Sequence, residues 1–218
     1  GPAWPKLLER SRQEKLPISL TYGMTESAAQ VATLKPEAFL TGKENVGKTL
    51  PHVEVFIEEE DPKADVGSIW LKAKSLFLGY YPELRKEREL WKTSDLGSLD
   101  EKGSLAISGR ADEVINTGGE KVYPGEVEVV VRKILPITSV VVLGIPDTEW
   151  GEVVCAIYQA EDNQKVSGEE MRKLLKAELA DYKIPKKWIQ YTDVLENTQG
   201  KINRQAIRSW VLANQEKI

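Results

Sequence analysis

The sequence has very little of the two side chains that most often build metal and nucleophile sites. Its 218 residues include one cysteine, Cys155, and one histidine, His52. A single thiol excludes an internal disulfide, and the shortage of both residues excludes a zinc cluster or a catalytic relay built on a second histidine. Cys155 lies in the apolar stretch VVCAIY, so we expect a buried thiol. His52 precedes an alternating VEVFI run, so we expect a residue at the edge of a strand.

Long apolar runs and an excess of positive charge are also lacking. No segment has the roughly 20 apolar residues that cross a bilayer, and the start GPAWPKLLERSRQ lacks the layout of a signal peptide. The net charge of -4, with both signs interleaved, gives no basic stripe that would follow a nucleic acid backbone. We therefore expect a cytoplasmic protein with no membrane span and no nucleic acid partner. Its 41% hydrophobic and 29% charged residues are typical of a globular chain with one large or two small domains.

The pattern of apolar residues changes near residue 110. Before this point, Pro5 opens a short helix at 5–14, and a buried strand is predicted at 18–23. From 46 to 108 the runs VEVFIEE, GSIWLKA and GSLAIS, separated by turn residues, predict a small barrel or sandwich. We therefore place a domain boundary at this point.

After residue 110 the patterns of helices and strands alternate. The predicted helices cover 124–134, a segment that begins at Ser167 with Glu170 as its capping partner, and 203–213; the predicted strands cover 139–143, 153–159 and 188–191. The inner face of the middle helix is predicted to be Met171, Leu174, Leu175, Leu179 and Tyr182, and this helix must end before Pro185. The predicted fold is mixed α/β (α+β), with 1–110 including a β-barrel-like subdomain and 111–218 forming a small α+β domain.

A phosphate-binding P-loop is spelled out at 42–49, as GKENVGKT. A P-loop must lead into a helix whose first amides hold the phosphates. Here Pro51 follows almost at once, removes an amide, and is followed by an alternating strand pattern. We therefore expect 42–51 to be a loop and turn.

Two segments in the first half carry residues suited to nucleotide chemistry. Tyr22-Gly23-Met24-Thr25-Glu26-Ser27 follows the predicted strand, and its carboxylate is a hard oxygen ligand for Mg²⁺ beside a hydroxyl that can donate to phosphate. Trp91-Lys92-Thr93-Ser94-Asp95 ends in a carboxylate whose two oxygens can accept from two hydroxyls. Taken alone, each segment would be an ordinary turn.

Two further segments lie at and beyond the predicted boundary. The first runs from Gly109 to Asn116 as GRADEVIN and continues from Gly118 to Glu128 as GGEKVYPGEVE; alone, it would be a charged linker. The second is Gly200-Lys201-Ile202, whose lysine is a compact charge on a flexible arm and could offset charge that builds up on a phosphate. Alone, this last pair of Gly and Lys carries almost no information.

In this order and spacing the four segments resemble the acyl-adenylate-forming superfamily of acyl-CoA synthetases, luciferases and peptide-synthetase adenylation domains. The resemblance covers nearly the whole chain. It departs from the superfamily at Ser94, where glycine is common, and at Leu195-Glu196-Asn197, where Leu-Pro-Arg is usual. The second departure changes charge and stiffness just before Lys201.

The resemblance implies a role for each candidate residue. The nucleotide would be held by Tyr22, Gly23, Thr25, Asp95, Ile107 and Arg110. Tyr22 and Ile107 would lie against adenine, Thr25 would bind the α-phosphate, and Asp95 would accept from the ribose. The remaining residues implied are Glu26 for Mg²⁺, Asp112 as the hinge of a mobile small domain, Gly118, Gly119 and Lys121 for CoA, and Lys201 as the catalytic cation of adenylation.

Within the superfamily, the stretch at 21–39 is most similar to o-succinylbenzoate–CoA ligases. The implied activity joins a carboxylic acid to CoA through acyl-AMP, with ATP and Mg²⁺, in menaquinone or phylloquinone biosynthesis. A Ser/Thr/Gly-rich loop ending in Pro-Lys is lacking, and Gly1-Pro2-Ala3-Trp4 looks like an interrupted strand end. We therefore expect a C-terminal half that is inactive without the N-terminal portion. The alternatives are a CoA ligase for another aromatic or fatty acid, and a non-catalytic module that binds AMP or CoA.

Overall fold

The chain divides into two compact units. A computed structural model describes residues 5–59, 66–84, 89–160, 167–191 and 202–214. The first unit is Leu7–Asp112, and the second is Glu113–Ile218 together with Gly1–Lys6. Helices and sheets occur together, which confirms the mixed α/β fold class. The described helices include none that is long and apolar enough to cross a membrane.

The chain up to residue 112 is mainly β-structure. Its elements are α1 (Pro5–Gln13), β1 (Thr21–Tyr22), β2 (Ala32–Thr33), α2 (Pro36–Leu40), β3 (Lys48–Thr49), β4 (Val53–Glu58), β5 (Gly67–Ala73), β6 (Gly79–Tyr80), β7 (Glu83–Leu84), β8 (Trp91–Leu99) and β9 (Leu105–Arg110), with 3-10 turns at Thr25–Ser27 and Ala111–Glu113. The strands form a sheet β1-β2-β3, an antiparallel sheet β4-β5-β8-β9 and a hairpin β6-β7.

The four-stranded sheet follows the alternation that the sequence predicted. In β4, Val53 is buried while Glu54 and Phe56 are exposed, as expected for side chains that point to opposite faces of a strand. Ile69 and Leu71 of β5 are fully buried. They pack with Tyr22, Val31, Ala32, Val53 and Leu105 in the core of the first unit. The predicted strands VEVFIEE, GSIWLKA and GSLAIS are therefore confirmed.

The predicted strand at 18–23 is wrong in its length. The structure has only Thr21–Tyr22 in β1, and Ile18 and Leu20 are half-buried. The amide of Ile18 donates to the carbonyl of Leu16, 2.9 Å away, so the chain turns at Pro17 before it can pair with β2. The rejection of a P-loop holds, because Lys48–Thr49 is a strand that leads into β4 and not into a helix. His52 is exposed beside Val53, the first residue of β4.

The second unit is built on one five-stranded sheet. Its elements are β10 (Ile115–Thr117), β11 (Glu120–Val122), α3 (Pro124–Ile134), β12 (Ile137–Asp147), β13 (Gly151–Ala160), α4 (Gly168–Leu175), a 3-10 turn (Asp181–Lys183), β14 (Lys187–Gln190) and α5 (Arg204–Ala213). The strand order is β11-β10-β13-β12. β14 pairs in parallel with residues 155–158 of β13, on the edge opposite β12, and β10 pairs with β13 at Gly151. The predicted helix at 124–134 is confirmed, and the predicted strands at 139–143 and 153–159 lie within longer ones. The strand predicted at 188–191 is found one residue earlier, at Lys187–Gln190.

Both faces of this sheet are covered, because the central runs of β12 (140–143) and β13 (153–158) are apolar at every position. Val140, Val142 and Val154 face α3 and α4, whereas Val141 and Cys155 face α5. This agrees with the strand period of two. Cys155 is fully buried, as the sequence predicted, and its burial raises the pKa of the thiol to about 12.

The predicted inner face of α4 is only partly correct. Ser167 caps the helix by accepting from the amide of Glu170 at 3.2 Å, which confirms the start. Met171, Leu175 and Leu179 are buried, but Leu174 is 49% and Tyr182 is 38% exposed. The helix ends at Leu175 and the chain returns through the 3-10 turn at Asp181–Lys183. The helical period therefore no longer applies at Tyr182, whereas Leu174 lies within the helix, on a side that the core does not cover.

Candidate active site

Tyr22 and Asp95 meet inside the first unit, although 73 residues separate them. Tyr22 is 9% exposed and belongs to the core of the first unit. Ile107 is partly buried and packs against that core. Its hydroxyl donates to Oδ2 of Asp95 at 2.6 Å. Burial, and then the hydrogen bond to the carboxylate, hold the pKa of Tyr22 well above its usual value of 10.0. Tyr22 is therefore a neutral donor that fixes one oxygen of the carboxylate.

The backbone around Asp95 is held by Thr93. The amide of Asp95 donates to Oγ1 of Thr93 at 3.0 Å, and this hydroxyl donates in turn to the carbonyl of Ile69 at 3.0 Å. Thr93 is itself buried. Asp95 thus sits at a rigid position in β8, with one side chain and one backbone contact that fix its orientation.

Arg110 lies directly beside Asp95, since the two are paired residues of β8 and β9. Its guanidinium donates to both oxygens of Asp112, from Nε at 2.9 Å and from Nη2 at 3.0 Å. This two-pronged contact holds the pKa of Asp112 below its usual range. Asp95, predicted to bind ribose, Arg110, predicted to reach ribose or phosphate, and Asp112, the predicted hinge, therefore form one continuous row at the end of the first unit.

Glu26 lies in the 3-10 turn that follows β1, and Tyr80 contacts it. The hydroxyl of Tyr80, on the β6-β7 hairpin, donates to Oε1 of Glu26 at 2.5 Å. This hydrogen bond holds the pKa of Glu26 below its usual range, so the carboxylate is ionised at neutral pH. Thr25 is exposed in the same turn. A side chain at Gly23 would place its Cβ 1.8 Å from the carbonyl oxygen of Ala29, so the turn requires glycine.

A single ionised carboxylate is compatible with Mg²⁺. The described residues contain no group of three His, Cys, Asp or Glu side chains that could hold a metal ion. Mg²⁺ keeps several waters and commonly binds through one or two carboxylates together with substrate phosphates. Glu26 therefore fits the role of a magnesium ligand that acts only when a phosphate supplies the remaining oxygens.

The glycine pair of the second unit forms a two-residue hairpin turn. Gly118 and Gly119 join β10 to β11 with φ values of 58° and 88°, and Lys121 is exposed in β11. Such turns strongly favour glycine. The Gly118 amide donates to the carbonyl of Trp150 at 2.9 Å, and a Cβ at Gly118 would lie 2.6 Å from its ring. The Nζ of Lys186 lies 3.5 Å from the centroid of that ring. The hairpin therefore exposes backbone beside an aromatic ring and a cation.

The predicted catalytic lysine, Lys201, lies outside the described residues. The structure resumes at Ile202, which packs on the α5 side of the sheet. Asn203 caps α5 by accepting from the amide of Ala206 at 3.0 Å. The two residues that follow Lys201 are therefore held in place, Ile202 by the sheet and Asn203 by the cap of α5.

Several residues of these sites had not been found from the sequence. Tyr80 was not singled out from the sequence, and Thr93 was quoted only as part of the segment that ends in Asp95, without a role of its own. Glu128 is 5% exposed in α3 and pairs with Arg204 at 2.7 Å. The available signal was an acidic residue on the apolar face of GEVEVVV, next to the buried Val127. A buried carboxylate of this kind requires a cationic partner.

Family models match both parts of the chain. Residues 1–81 match the model described as AMP-binding enzyme, and residues 126–201 match AMP-binding enzyme C-terminal domain. Together the two matches cover more than half of the chain. The chain belongs to the AMP-binding enzymes.

Curated relatives of this family member include 2-succinylbenzoate–CoA ligases. The protein of that name from Listeria monocytogenes is 36% identical over an alignment of 214 positions, which covers 95% of this chain and 44% of the relative. The protein from a Geobacillus species is 34% identical over an alignment of 223 positions, which covers 99% of this chain and 45% of the relative. The chain thus spans about half the length of the curated relatives that it matches.

Solved structures of AMP-binding enzymes share the fold. The o-succinylbenzoate CoA synthetase MenE of Bacillus subtilis, in complex with the acyl-adenylate intermediate OSB-AMP, superposes with a TM-score of 0.83 at 32% identity, covering 95% of this chain and 44% of that one. The amide bond synthetase McbA of Marinactinospora thermotolerans gives 0.81 at 28% identity, covering 96% and 45%.

Proposed function

We propose that this chain is the C-terminal half of an ATP-dependent acid–CoA ligase that forms acyl-AMP and then acyl-CoA in the cytoplasm. The observation that carries the proposal is the convergence of Tyr22, Asp95 and Arg110. These residues come from three separate motif segments, and they are joined by one hydrogen bond and one strand pairing. A bound nucleotide offers what such a row recognises: ribose hydroxyls that donate to Asp95, and phosphate oxygens that accept from Arg110.

Two half-reactions account for the proposed activity. In the first, a carboxylate oxygen of the acid attacks the α-phosphorus of ATP, and pyrophosphate leaves. In the second, the CoA thiol loses its proton and attacks the acyl carbon, and AMP leaves. Both steps transfer a group without a covalent enzyme intermediate. The protein supplies position and charge where negative charge accumulates.

Specific residues serve the first half-reaction in this proposal. Glu26 holds Mg²⁺, which neutralises phosphate charge when bound. Thr25 donates to the α-phosphate, and Gly23 allows the backbone of the turn to pass close to it. Ile107 and Tyr22 form the apolar side of the adenine site. Lys201 approaches the reacting carboxylate and phosphate and offsets their mutual repulsion.

Different residues serve the second half-reaction. Residues 1–110 act as the C-terminal part of a large adenylate-binding domain, and 111–218 as a small domain that rotates about Asp112 between the two steps. Gly118 and Gly119 then present a bare backbone edge to the pantetheine arm of CoA, and Lys121 offers it a cation. Support for this role comes from the exposed hairpin, whose positive φ values exclude most side chains.

The proposed acid is o-succinylbenzoate, which places the enzyme in menaquinone or phylloquinone biosynthesis. Support for this acid comes from the names of the relatives at 36% and 34% identity. A second candidate is amide formation, with an amine replacing CoA, because an amide bond synthetase shares the fold at a TM-score of 0.81. Other aromatic or fatty acids remain substrates to compare.

A half-reaction assay with Lys201→Ala tests the mechanism. The protein to use is a version extended upstream to the length of the relatives. We expect the variant to lose acyl-AMP formation and to retain thioester formation from supplied acyl-AMP, because the lysine serves only the first step. Equal loss in both steps would contradict this assignment. A panel of acids, with CoA or an amine as acceptor, measures the substrate: the proposal requires o-succinylbenzoate and CoA to give the highest rate.

A further inference from the structure

Arg204 makes more contacts than a simple ion pair in the second unit. Its Nη2 donates to both oxygens of Glu128, at 2.7 and 2.8 Å. Its Nη1 donates to the carbonyl of Val142 at 3.1 Å, and its Nε lies 3.2 Å from Oε2 of Glu113. The planar guanidinium thus joins α5, α3, β12 and the start of the unit through four acceptor oxygens. Lysine, with a single ammonium, cannot reproduce this geometry.

The burial of Glu128 fixes its contact with Arg204. It is 5% exposed, and its Oε1 also accepts from the amide of Val142 at 2.8 Å. A carboxylate buried to this degree must keep its partner, so Arg204 has one place to lie. Asn203 and Ile202, directly before it, are held as well, by the α5 cap and by the sheet. The point from which the chain runs back to Lys201 is therefore rigid.

The contacts of Arg204 lie beside two residues on which the proposed function depends. Glu113 directly follows Asp112, the proposed hinge, and Arg204 follows Lys201 by three residues. The guanidinium of Arg204 therefore links Glu113, which follows the hinge, to the buried carboxylate of Glu128. Arg204 itself lies at the start of α5, just after the segment that contains Lys201. A displacement of Glu113 would therefore displace Arg204, and a displacement of Arg204 would displace Glu113, because a direct ion pair joins them.

We propose that Arg204 is a positioning residue for adenylation: it fixes Ile202 and Asn203, the residues that follow Lys201, relative to Glu113, the residue that follows the hinge. This inference rests on the proposed function. Rotation about Asp112 then brings Lys201 to the reacting carboxylate and α-phosphate in one defined orientation. The second half-reaction, which uses the Gly118–Gly119 hairpin and not Lys201, does not depend on that orientation.

Arg204→Lys is the variant that tests the inference. It keeps a cation beside buried Glu128 but cannot reach Glu113 and Val142 at the same time. Because a misplacement of about 1 Å costs about 100-fold in rate, we expect adenylation to fall by about 10- to 100-fold. Thioester formation from supplied acyl-AMP should stay within about two-fold of wild type, since its groups are untouched. Both steps are measured in the extended protein.

Arg208→Lys is the matched control. Arg208 lies one turn further along α5 and makes an exposed contact with Glu152 at 3.2 Å. The same substitution there should leave both half-reactions unchanged. Glu113→Gln is a second test that preserves the buried pair of Arg204 and Glu128, so it decides the matter if Arg204→Lys does not fold. We expect it to give the same selective loss of adenylation, but smaller.

The outcomes separate this inference from the proposed function. Selective loss of adenylation in Arg204→Lys and Glu113→Gln supports the positioning role. Equal loss of both steps, or no loss in an active protein, overturns it and leaves Arg204 as a purely structural residue. A wild-type protein inactive in both steps overturns the proposed function, and this inference with it.

Discussion

Removing the hydroxyl of Tyr22 should destabilise the first unit in a way that depends on pH. Tyr22→Phe deletes the hydroxyl, with its 2.6 Å hydrogen bond to Asp95 and its contact with Thr93, and keeps the ring in the core. A hydrogen bond to a charged group contributes about 1.5–3 kcal/mol, and Tyr22 is 9% exposed, so solvent compensates little. We expect the free energy of unfolding to fall by about 1.5–3 kcal/mol near neutral pH.

The pH dependence follows from the raised pKa of Tyr22. A phenol whose folded pKa lies above its unfolded value of 10.0 contributes stability that is fully present below that pH and is lost as the pH rises above it. From about pH 9 to pH 11, wild type should lose about 1.4 kcal/mol that Tyr22→Phe, which cannot ionise there, does not lose. The stability gap between the two proteins should therefore shrink by that amount.

Urea denaturation at several pH values measures this gap. Tyr81→Phe is the control, because Tyr81 is 96% exposed and its loss should change stability by less than about 0.5 kcal/mol. A gap that stays constant from neutral to alkaline pH would refute the reasoning, since it would mean that no neutral phenol donates to Asp95. The absence of any gap would refute the contact itself.

Three further changes test other parts of the account. Tyr80→Phe removes the donor to Glu26, so the Mg²⁺ concentration for half-maximal activity of the extended protein should rise up to about 10-fold; an unchanged requirement would separate Tyr80 from the metal. Gly118→Ala should lower the melting temperature more than Gly119→Ala, because both have positive φ but only Gly118 has Trp150 within 2.6 Å of the new Cβ; equal effects would contradict this packing. Native Cys155 should resist a thiol reagent that labels it after unfolding, and fast labelling of the native protein would contradict its burial.

Local patterns predicted most of the secondary structure. Three strands of the four-stranded sheet (β4, β5 and β9) and the helix at Pro124–Ile134 were predicted because their apolar periods are bounded by turn residues. The fourth strand, β8, was not predicted, because its first residues were interpreted as a turn. The Ser167 cap was predicted because both partners lie within three residues. The inner face of α4 was overextended to Tyr182, since nothing in the local sequence marks the end of the helix at Leu175. It was also drawn too wide at Leu174, which lies within the helix but is exposed.

The contacts within the candidate site were not predictable in the same way. Tyr22 and Asp95 are joined across 73 residues, and Glu128 and Arg204 across 76. Such pairs depend on how the sheets assemble, which a single sequence does not encode at any fixed spacing. The motif residues were named by resemblance, whereas Tyr80, Thr93 and Arg204 required the structure.

Pyrophosphate release from Mg-ATP and o-succinylbenzoate is the measurement that decides whether this chain is half of an acid–CoA ligase. The assay compares the 218-residue chain with the version extended upstream to the length of its relatives. We expect acid-dependent release from the extended version and none from the chain alone. Release from the chain alone would contradict its dependence on the remaining portion, and an extended version that releases no pyrophosphate with any acid would contradict the ligase proposal.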